Sequence, residues 1–322
     1  MAEILDCKVV AESIREQCLA EADALKAKGI TPKLGMVRVG EKGPDLAYQR
    51  GATSTMEGAG IATEVFAFDA DISQDDYIAE FRKINADPAV HGILPFRPLD
   101  NIDENVAIGQ ELNPLKDVDA CTVGNMGKLV VNDPTGLHPC TAKAIEEIMD
   151  FYKDKIIEVR KANDPSYEYK EGDDYATGLK VCIVNNSNVI GKPLAMYLTN
   201  RFAVVSIVHH LTSMEDRIKL AADADVLVTA VPFKNTVPGD MVKPGAVVID
   251  ASIIREKVFD ENGEPVMNEK TGRQKIQTVG CLTDDAKEKA GYVTPVPGMG
   301  SVTSALLAKN VILACKLQNN ID

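Results

Sequence analysis

The sequence predicts an α/β protein of two domains built around mainly parallel sheets. Three observations carry that expectation. The chain has 322 residues, room for two domains of roughly 150 residues each. Strand-like runs alternate with helical periodicity from Val9 to Pro95 and again from Lys180, the rhythm of βαβ units. The later runs are continuous and β-branched, as strands buried on both faces are.

In chain order, Val10, Ile14, Cys18, Ala22 and Leu25 recur at three- and four-residue spacing. Val9 to Lys28 therefore reads as an amphipathic helix, stopped by Gly29. Lys33 to Val39 is a strand ending at Gly40. A helix over Ala47 to Ala59 closes at Gly60, Ala62 to Phe68 is a strand, Gln74 to Asn85 a helix, and Val90 to Pro95 a third strand. Phe96 to Pro139 is loop-rich, and an amphipathic helix follows from Thr141 to about Lys155. Residues 156–177 mix charges with Pro165 and Gly172 and read as an exposed insertion or linker, the charges of 153–174 lying in solvent. Strands then fall at Val181 to Val184, Val204 to Val208, Val226 to Val231 and Ala246 to Ile249. Residues 255–276, with turn signals Asn262-Gly263 and Thr271-Gly272, suggest a hairpin excursion. A helix over Val302 to Lys316 ends the pattern.

Composition excludes several classes of function. Lys and Arg number 35 against 48 Asp and Glu, a formal charge of −13, so the chain lacks the basic stripe that grips nucleic acid or anionic lipid. No apolar run approaches the ~20 residues that span a bilayer, and the start, Ala2-Glu3-Ile4-Leu5-Asp6, has no signal-peptide pattern. Seven scattered cysteines without CxxC spacing predict a reducing, cytoplasmic setting, small buried thiols and no metal site. His91 and His138 stand alone and read as structural.

The segment Val181 to Ala195 is a buried strand, a polar turn and a helix start, the place where a doubly wound sheet meets a dinucleotide. The glycine fingerprint GxGxxG is absent: Asn185 and Asn186 fill the early turn and Gly191 stands alone, so spacing alone leaves an ordinary βα turn equally open. The run Asn186-Ser187-Asn188-Val189-Ile190-Gly191-Lys192-Pro193 resembles the cofactor loop of the methylenetetrahydrofolate dehydrogenase/cyclohydrolase family, usually Gly-Arg-Ser-x-x-Val-Gly-x-Pro. Four more blocks match that family in order: Lys116-Asp117-Val118-Asp119, Pro139-Cys140-Thr141, Lys243 to Asp250, and Thr294-Pro295-Val296-Pro297-Gly298.

The resemblance implies an N-terminal α/β folate-side domain over 1–143 with the C-terminal helix 302–322, and a Rossmann-like NAD(P)-binding domain over 144–301. Insertions would fall near 156–177 and 255–276, and the active site in the interdomain cleft. It implies hydride transfer from 5,10-methylenetetrahydrofolate to NAD(P), a step that needs positioning more than a base. Tyr48 and Asp119 would be the catalytic pair, Tyr48 packing on the folate and Asp119 holding the pterin, with Phe96, Pro297 and Gly298 completing the substrate site. Asn185, Asn186, Ser187, Ile190, Gly191, His210, Val231, Pro232, Ser252, Ile253 and Thr303 would surround the dinucleotide.

Departures from the family pattern matter. Its Tyr-x-x-x-Lys reads Tyr48-Gln49-Arg50-Gly51-Ala52, so the lysine of the hydrolytic step is Ala52. Its Val-Gln-Leu-Pro-Leu-Pro reads Pro95-Phe96-Arg97-Pro98-Leu99-Asp100, so the glutamine supporting that lysine is Phe96 and a leucine is Arg97. Arg50 lies ~200° round the helix from Ala52. The last loop, Pro297 to Thr303, is one residue short, and Cys281 stands where the family has Asp. The shortened loop and the missing lysine resemble the monofunctional NAD-dependent branch of yeasts. Asn186 replaces the arginine that pairs with the NADP 2′-phosphate, and His209-His210 offers no acid for a ribose hydroxyl, which places NAD ahead of NADP with both open. Two rival functions stand beside the monofunctional dehydrogenase: a bifunctional enzyme with a substitute hydrolytic group such as Arg97, and a non-catalytic folate or nucleotide sensor. The family further implies a homodimer.

Overall fold

The computed structural model describes residues 2–269 and 272–321. Its first elements are β1 (Glu3–Ile4), α1 (Cys7–Ala27), β2 (Lys33–Val39), α2 (Gly43–Gly58), β3 (Ala62–Phe68), α3 (Gln74–Ala86), β4 (Gly92–Pro95), α4 (Glu104–Ala107), α5 (Val123–Val130), α6 (Cys140–Phe151) and α7 (Lys153–Asn163). There follow β5 (Lys180–Val184), α8 (Gly191–Asn200), β6 (Val204–Val208), α9 (Met214–Ala221), β7 (Val226–Thr229), β8 (Val247–Asp250), β9 (Ile254–Lys257), β10 (Ile276–Val279), α10 (Asp284–Lys289), β11 (Tyr292–Val293) and α11 (Met299–Gln318). The chain divides into two compact units: Lys8–Ala144 with the segment from Ser301, here the N-terminal unit, and Ile145–Gly300 with the segment ending at Cys7, the central unit.

The N-terminal unit holds a parallel sheet of order β3-β2-β4. Its core gathers Val37, Tyr77, Phe81, Val90 and Ile93. Gly92 fixes what lies beside that sheet: a Cβ there would stand 2.4 Å from the Val118 side chain and 3.2 Å from Val311. The missing side chain lets the segment Lys116 to Asp119 run against β4, where the Ile93 N–H donates to the Lys116 carbonyl at 2.7 Å. From α11, the buried Asn310 donates to the carbonyls of Val118 and His138, both at 2.7 Å, so the segment is held from two sides.

The central unit carries a six-stranded parallel sheet of order β1-β11-β8-β7-β5-β6. Strands β5, β7 and β8 bury nearly every residue, as their β-branched runs require. Cys182 and Cys281 lie fully buried in its core with Leu227 and Val248 and act as small apolar side chains. The excursion is an antiparallel hairpin, β9 on β10, with Gly263 in a left-handed turn at φ +82°. Thr271 of the second turn signal lies outside the described residues.

Several sequence expectations need correction. The first residues do not belong with 8–143: β1 adds to the central sheet in parallel with β11, through Glu3 N–H to Gly291 and Leu5 N–H to Val293. The stretch 156–177 is not a bare linker, because α7 occupies its first part and buries Ile156, Ile157 and Val159 among its charges. The helix expected over Thr141 to Lys155 breaks at Tyr152 into α6 and α7. The loop-rich stretch after Phe96 contains α4 and α5. Finally, α11 is, among the described residues, one helix long and apolar enough to cross a membrane. Lys309 and Lys316 interrupt its apolar run in sequence, while 56% of its most apolar window is buried inside the protein.

Candidate active site

In the N-terminal unit, Tyr48 on α2 is 52% exposed and meets the ring of Phe96 edge to face, centroids 5.4 Å apart. Phe96 follows β4 and is 5% exposed, as is Ala52 one helical turn beyond Tyr48. The two positions that depart from the hydrolytic pattern are therefore filled by packed, chargeless side chains. Arg50 is exposed and makes no ion pair among the described residues.

Asp117 and Asp119, two residues apart, have opposite surroundings. Asp117 is buried and fully engaged: its carboxylate accepts from the N–H groups of Cys121 (3.1 Å) and Thr122 (2.8 Å) and from the Asn125 amide (3.1 Å). Asp119 is exposed and accepts no hydrogen bond from the described residues. The dense chain around it, together with Asp117, raises its carboxyl to about 6, against the pull of Arg97. A partnerless carboxylate open on one side and crowded on the others is suited to accepting N–H groups of a bound molecule. Tyr48 senses the same charge: burial first, then Asp119, raises its phenol to about 12, so it stays protonated. Sequence reasoning missed the partner of Arg97, which is Glu104 at the start of α4, with Nε to Oε2 at 2.8 Å and Nη2 to Oε2 at 2.6 Å. No periodicity links residues seven apart in a loop, so only the structure pairs them.

In the central unit the strand order reverses between β6 and β7 on either side of β5, the switch point where open α/β sheets take ligands. Asn185, just past β5, donates from its amide to the Ala230 carbonyl just past β7 at 2.6 Å, tying the two strand ends. Its Oδ1 accepts from Ser187 N–H (2.8 Å) and Gly191 N–H (3.1 Å), and Ser187 Oγ accepts from Ile190 N–H (3.1 Å). Residue 191 must be glycine, since a Cβ would lie 1.9 Å from the Asn185 carbonyl oxygen. The N–H groups of Ser187, Ile190 and Gly191 are thus turned inward and set the shape of the turn. What it presents outward are Asn186, Asn188, the half-exposed Val189 and the start of α8, where Ile190 supplies no capping side chain and the helix dipole has its positive pole.

The neighbouring strand ends are equally organised. Asp250 closes β8 and accepts from Thr229 Oγ1 (3.1 Å), Ser252 N–H (3.0 Å) and Cys281 N–H (2.9 Å), while Ser252 Oγ accepts from Val231 N–H at 3.1 Å. Cys281 is fully buried and its thiol is pushed up to about 12, which keeps it unreactive. Pro232, Ile253 and His210 are exposed beyond β7, β8 and β6. Pro297 is exposed and Gly298 half-buried in the loop before α11, where a Cβ on Gly298 would meet the Pro295 carbonyl at 2.5 Å. Thr303 lies on α11 in the N-terminal unit, and the other assigned dinucleotide residues belong to the central unit. These strand ends, with a glycine cradle at the start of α8, fit a dinucleotide. A separate cavity of about 590 Å³ in this unit, lined by Ile4, Asp250, Gly280, Lys287 and Val296, takes in Asp250 but none of the assigned dinucleotide residues. No cluster of metal-binding side chains occurs among the described residues.

Comparison with known proteins agrees with this geometry. The model for the catalytic domain of tetrahydrofolate dehydrogenase/cyclohydrolase matches residues 5–119, and that for the same family's NAD(P)-binding domain matches 169–319. The bifunctional protein FolD of Alkaliphilus metalliredigens is 40% identical over 323 residues, covering 100% of both chains. The solved methylenetetrahydrofolate dehydrogenase/cyclohydrolase FolD of Campylobacter jejuni has a TM-score of 0.81 at 28% identity, over 98% of this chain and 99% of its own. The FolD of Trypanosoma brucei, solved with NADP and an inhibitor, reaches 0.79 at 27% identity over 98% of each chain. With both family domains matched in order and relatives aligned from end to end, this chain belongs to the tetrahydrofolate dehydrogenase/cyclohydrolase family and is an NAD(P)-dependent methylenetetrahydrofolate dehydrogenase.

Proposed function

We propose that this enzyme oxidises 5,10-methylenetetrahydrofolate with NAD as its preferred acceptor and lacks the lysine-dependent hydrolysis of the methenyl product. The observation that carries this is the apolar closure at Ala52 and Phe96. Hydrolysis of the methenyl cation needs a group that positions water and moves protons. A methyl and a phenyl ring, each 5% exposed, can do neither. Oxidation asks for less. NAD(P) supplies the hydride acceptor when bound. The C–H bond at the methylene carbon breaks, both its electrons leave with the hydride, and the positive charge left behind spreads over the two flanking folate nitrogens. The protein's part is to orient: Asp119 receives the pterin N–H groups, Tyr48 lies against the folate with Phe96 fixing its ring, and the Asn185 turn shapes the dinucleotide site.

The preference for NAD rests on Asn186, exposed and neutral where the family's arginine pairs with a 2′-phosphate. Exposed Val204 and Ile207 on β6, the edge strand of the central sheet, with Phe202 just before it, support a homodimer through that edge. Composition supports action in the cytoplasm.

The names of the Alkaliphilus and Campylobacter relatives favour a second reading, a bifunctional enzyme, and one assay separates the two. Purified protein is given methylenetetrahydrofolate with NAD or NADP, following reduced cofactor and folate product together. The expected outcome is reduction faster with NAD and a methenyl product that decays only at its spontaneous rate. Enzyme-dependent appearance of formyltetrahydrofolate would refute the monofunctional reading.

A further inference from the structure

Asp119 is an exposed residue between two buried ones, Val118 and Ala120. The peptide groups on either side of its Cα are both fixed. The group before it carries the Val118 carbonyl, and a peptide unit is rigid and planar, so holding that oxygen also holds the Asp119 N–H and Cα. The oxygen accepts from the Asn310 amide at 2.7 Å and from the Cys140 thiol at 3.3 Å. The group after it carries the Ala120 N–H, which donates to the Asp117 carbonyl at 2.9 Å. Ala120 sits at φ +51°, a left-handed conformation that an alanine keeps only where its surroundings impose it.

Asn310 is fully buried, and both ends of its amide are engaged. Besides Val118, it donates to the His138 carbonyl at 2.7 Å, and its Oδ1 accepts the His138 N–H at 3.2 Å. This two-way exchange with one residue is what a neighbouring strand would offer, so the side chain cannot turn without breaking both bonds. Of side chains this short, only asparagine supplies two N–H donors and an acceptor in one plane. Cys140 is the middle residue of the Pro139-Cys140-Thr141 block, and complete burial holds its thiol well above the ordinary range, so it stays protonated and able to donate. The Val118 side chain fills the room that Gly92 leaves. All of these residues belong to the N-terminal unit.

We infer that Asn310, with Cys140 beside it, is a positioning residue for the folate: it fixes the peptide group from which Asp119 projects, so that the carboxylate stands where the aminopyrimidinone edge needs its acceptor. This role depends on Asp119 being the pterin-binding carboxylate and adds to it the side chains that aim it. Being fully buried, Asn310 acts through Asp119 and not by touching the folate. A displacement of about 1 Å at such an anchor lowers catalytic efficiency well beyond what the lost hydrogen bonds alone would suggest.

The test is a double-mutant cycle read by steady-state kinetics, with Asn310→Ala, Asp119→Asn and the two combined, and Asn310→Ser as the conservative variant. Asn310→Ala should raise KM for methylenetetrahydrofolate about five- to tenfold and leave KM for NAD within about twofold of wild type, because only the folate anchor moves. Asn310→Ser keeps one donor and should fall between alanine and wild type. In the Asp119→Asn background the alanine substitution should lower kcat/KM by no more than about a further twofold, since the charge it would misplace is gone. Circular dichroism and thermal melting identify any variant that fails to fold, and if alanine fails, Asn310→Ser completes the same cycle. Folded variants at position 310 with wild-type KM for the folate overturn the positioning role, and so does a loss that recurs in full on top of Asp119→Asn. Wild-type kcat/KM in Asp119→Asn overturns the underlying reading of Asp119 instead.

Discussion

At the scale of single residues, Asp119 is kept as a charge that the fold itself disfavours. Its carboxyl is raised from 3.8 to about 6, so the folded state binds the proton more tightly than the unfolded chain does. The stability this group contributes is present below pH 3.8 and is lost as pH rises through 6. Asp119→Asn should therefore stabilise the protein at pH 8, by no more than about 1 kcal/mol given the exposure of the carboxylate, and the gain, read as a higher melting temperature, should vanish below about pH 4. The same variant should lose at least about tenfold in kcat/KM for the folate, through the lost charge-assisted hydrogen bonds. A melting curve unaffected at pH 8 would show that the charge is tolerated without cost. Which residues depart from the family pattern was legible in sequence, since Ala52, Phe96, Arg97 and Asn186 stand inside quoted motifs. Their surroundings were not: that Asp117 is sated and Asp119 bare depends on Asn125 and Thr122 folding back, and no spacing rule encodes that.

At the scale of elements, the C-terminus of α8 carries an avoidable strain. Ala203 N–H bonds to the Leu198 carbonyl and Phe202 N–H to that of Thr199, both at 3.0 Å, a Schellman motif with Phe202 at the left-handed position. Phe202 adopts φ +59° and is 77% exposed, so its ring contributes little burial against the steric cost. Phe202→Gly should stabilise the protein by about 1 kcal/mol, a rise of about 2–4 °C in melting temperature, read by calorimetry. No rise would indicate that the ring is covered in the native assembly. Elements with strong repeating patterns were legible: β2 and β3 occupy the residues expected, because each is an unbroken run of seven between turn residues. Strands β1 and β11 were not, having two residues each and no pattern to carry. Helix α7 was hidden because its three buried apolar residues sit among six charged ones.

At the scale of the whole molecule, both units are discontinuous in sequence. The central sheet takes its last strand from the start of the chain, and the N-terminal unit takes α11 from the end. Glu3→Pro removes the donor to Gly291 and should cost about 1–2 kcal/mol while uncovering the edge of β11. A lower melting temperature and concentration-dependent aggregation on heating are the expected readouts, and a melt identical to wild type would make β1 dispensable. The exchange of ends also governs how the protein is made. At about 5–20 residues per second, a ribosome needs roughly 15–60 s for this chain. Throughout that interval β1 waits for a partner at residues 292–293, and Asn310 has yet to reach the carbonyls of Val118 and His138. The central unit has all its residues once Gly300 has emerged, whereas the N-terminal unit waits for α11. A chain cut short of residue 292 therefore leaves β1 without its neighbouring strand, and one cut short of residue 310 leaves the Val118 and His138 carbonyls without their Asn310 donor.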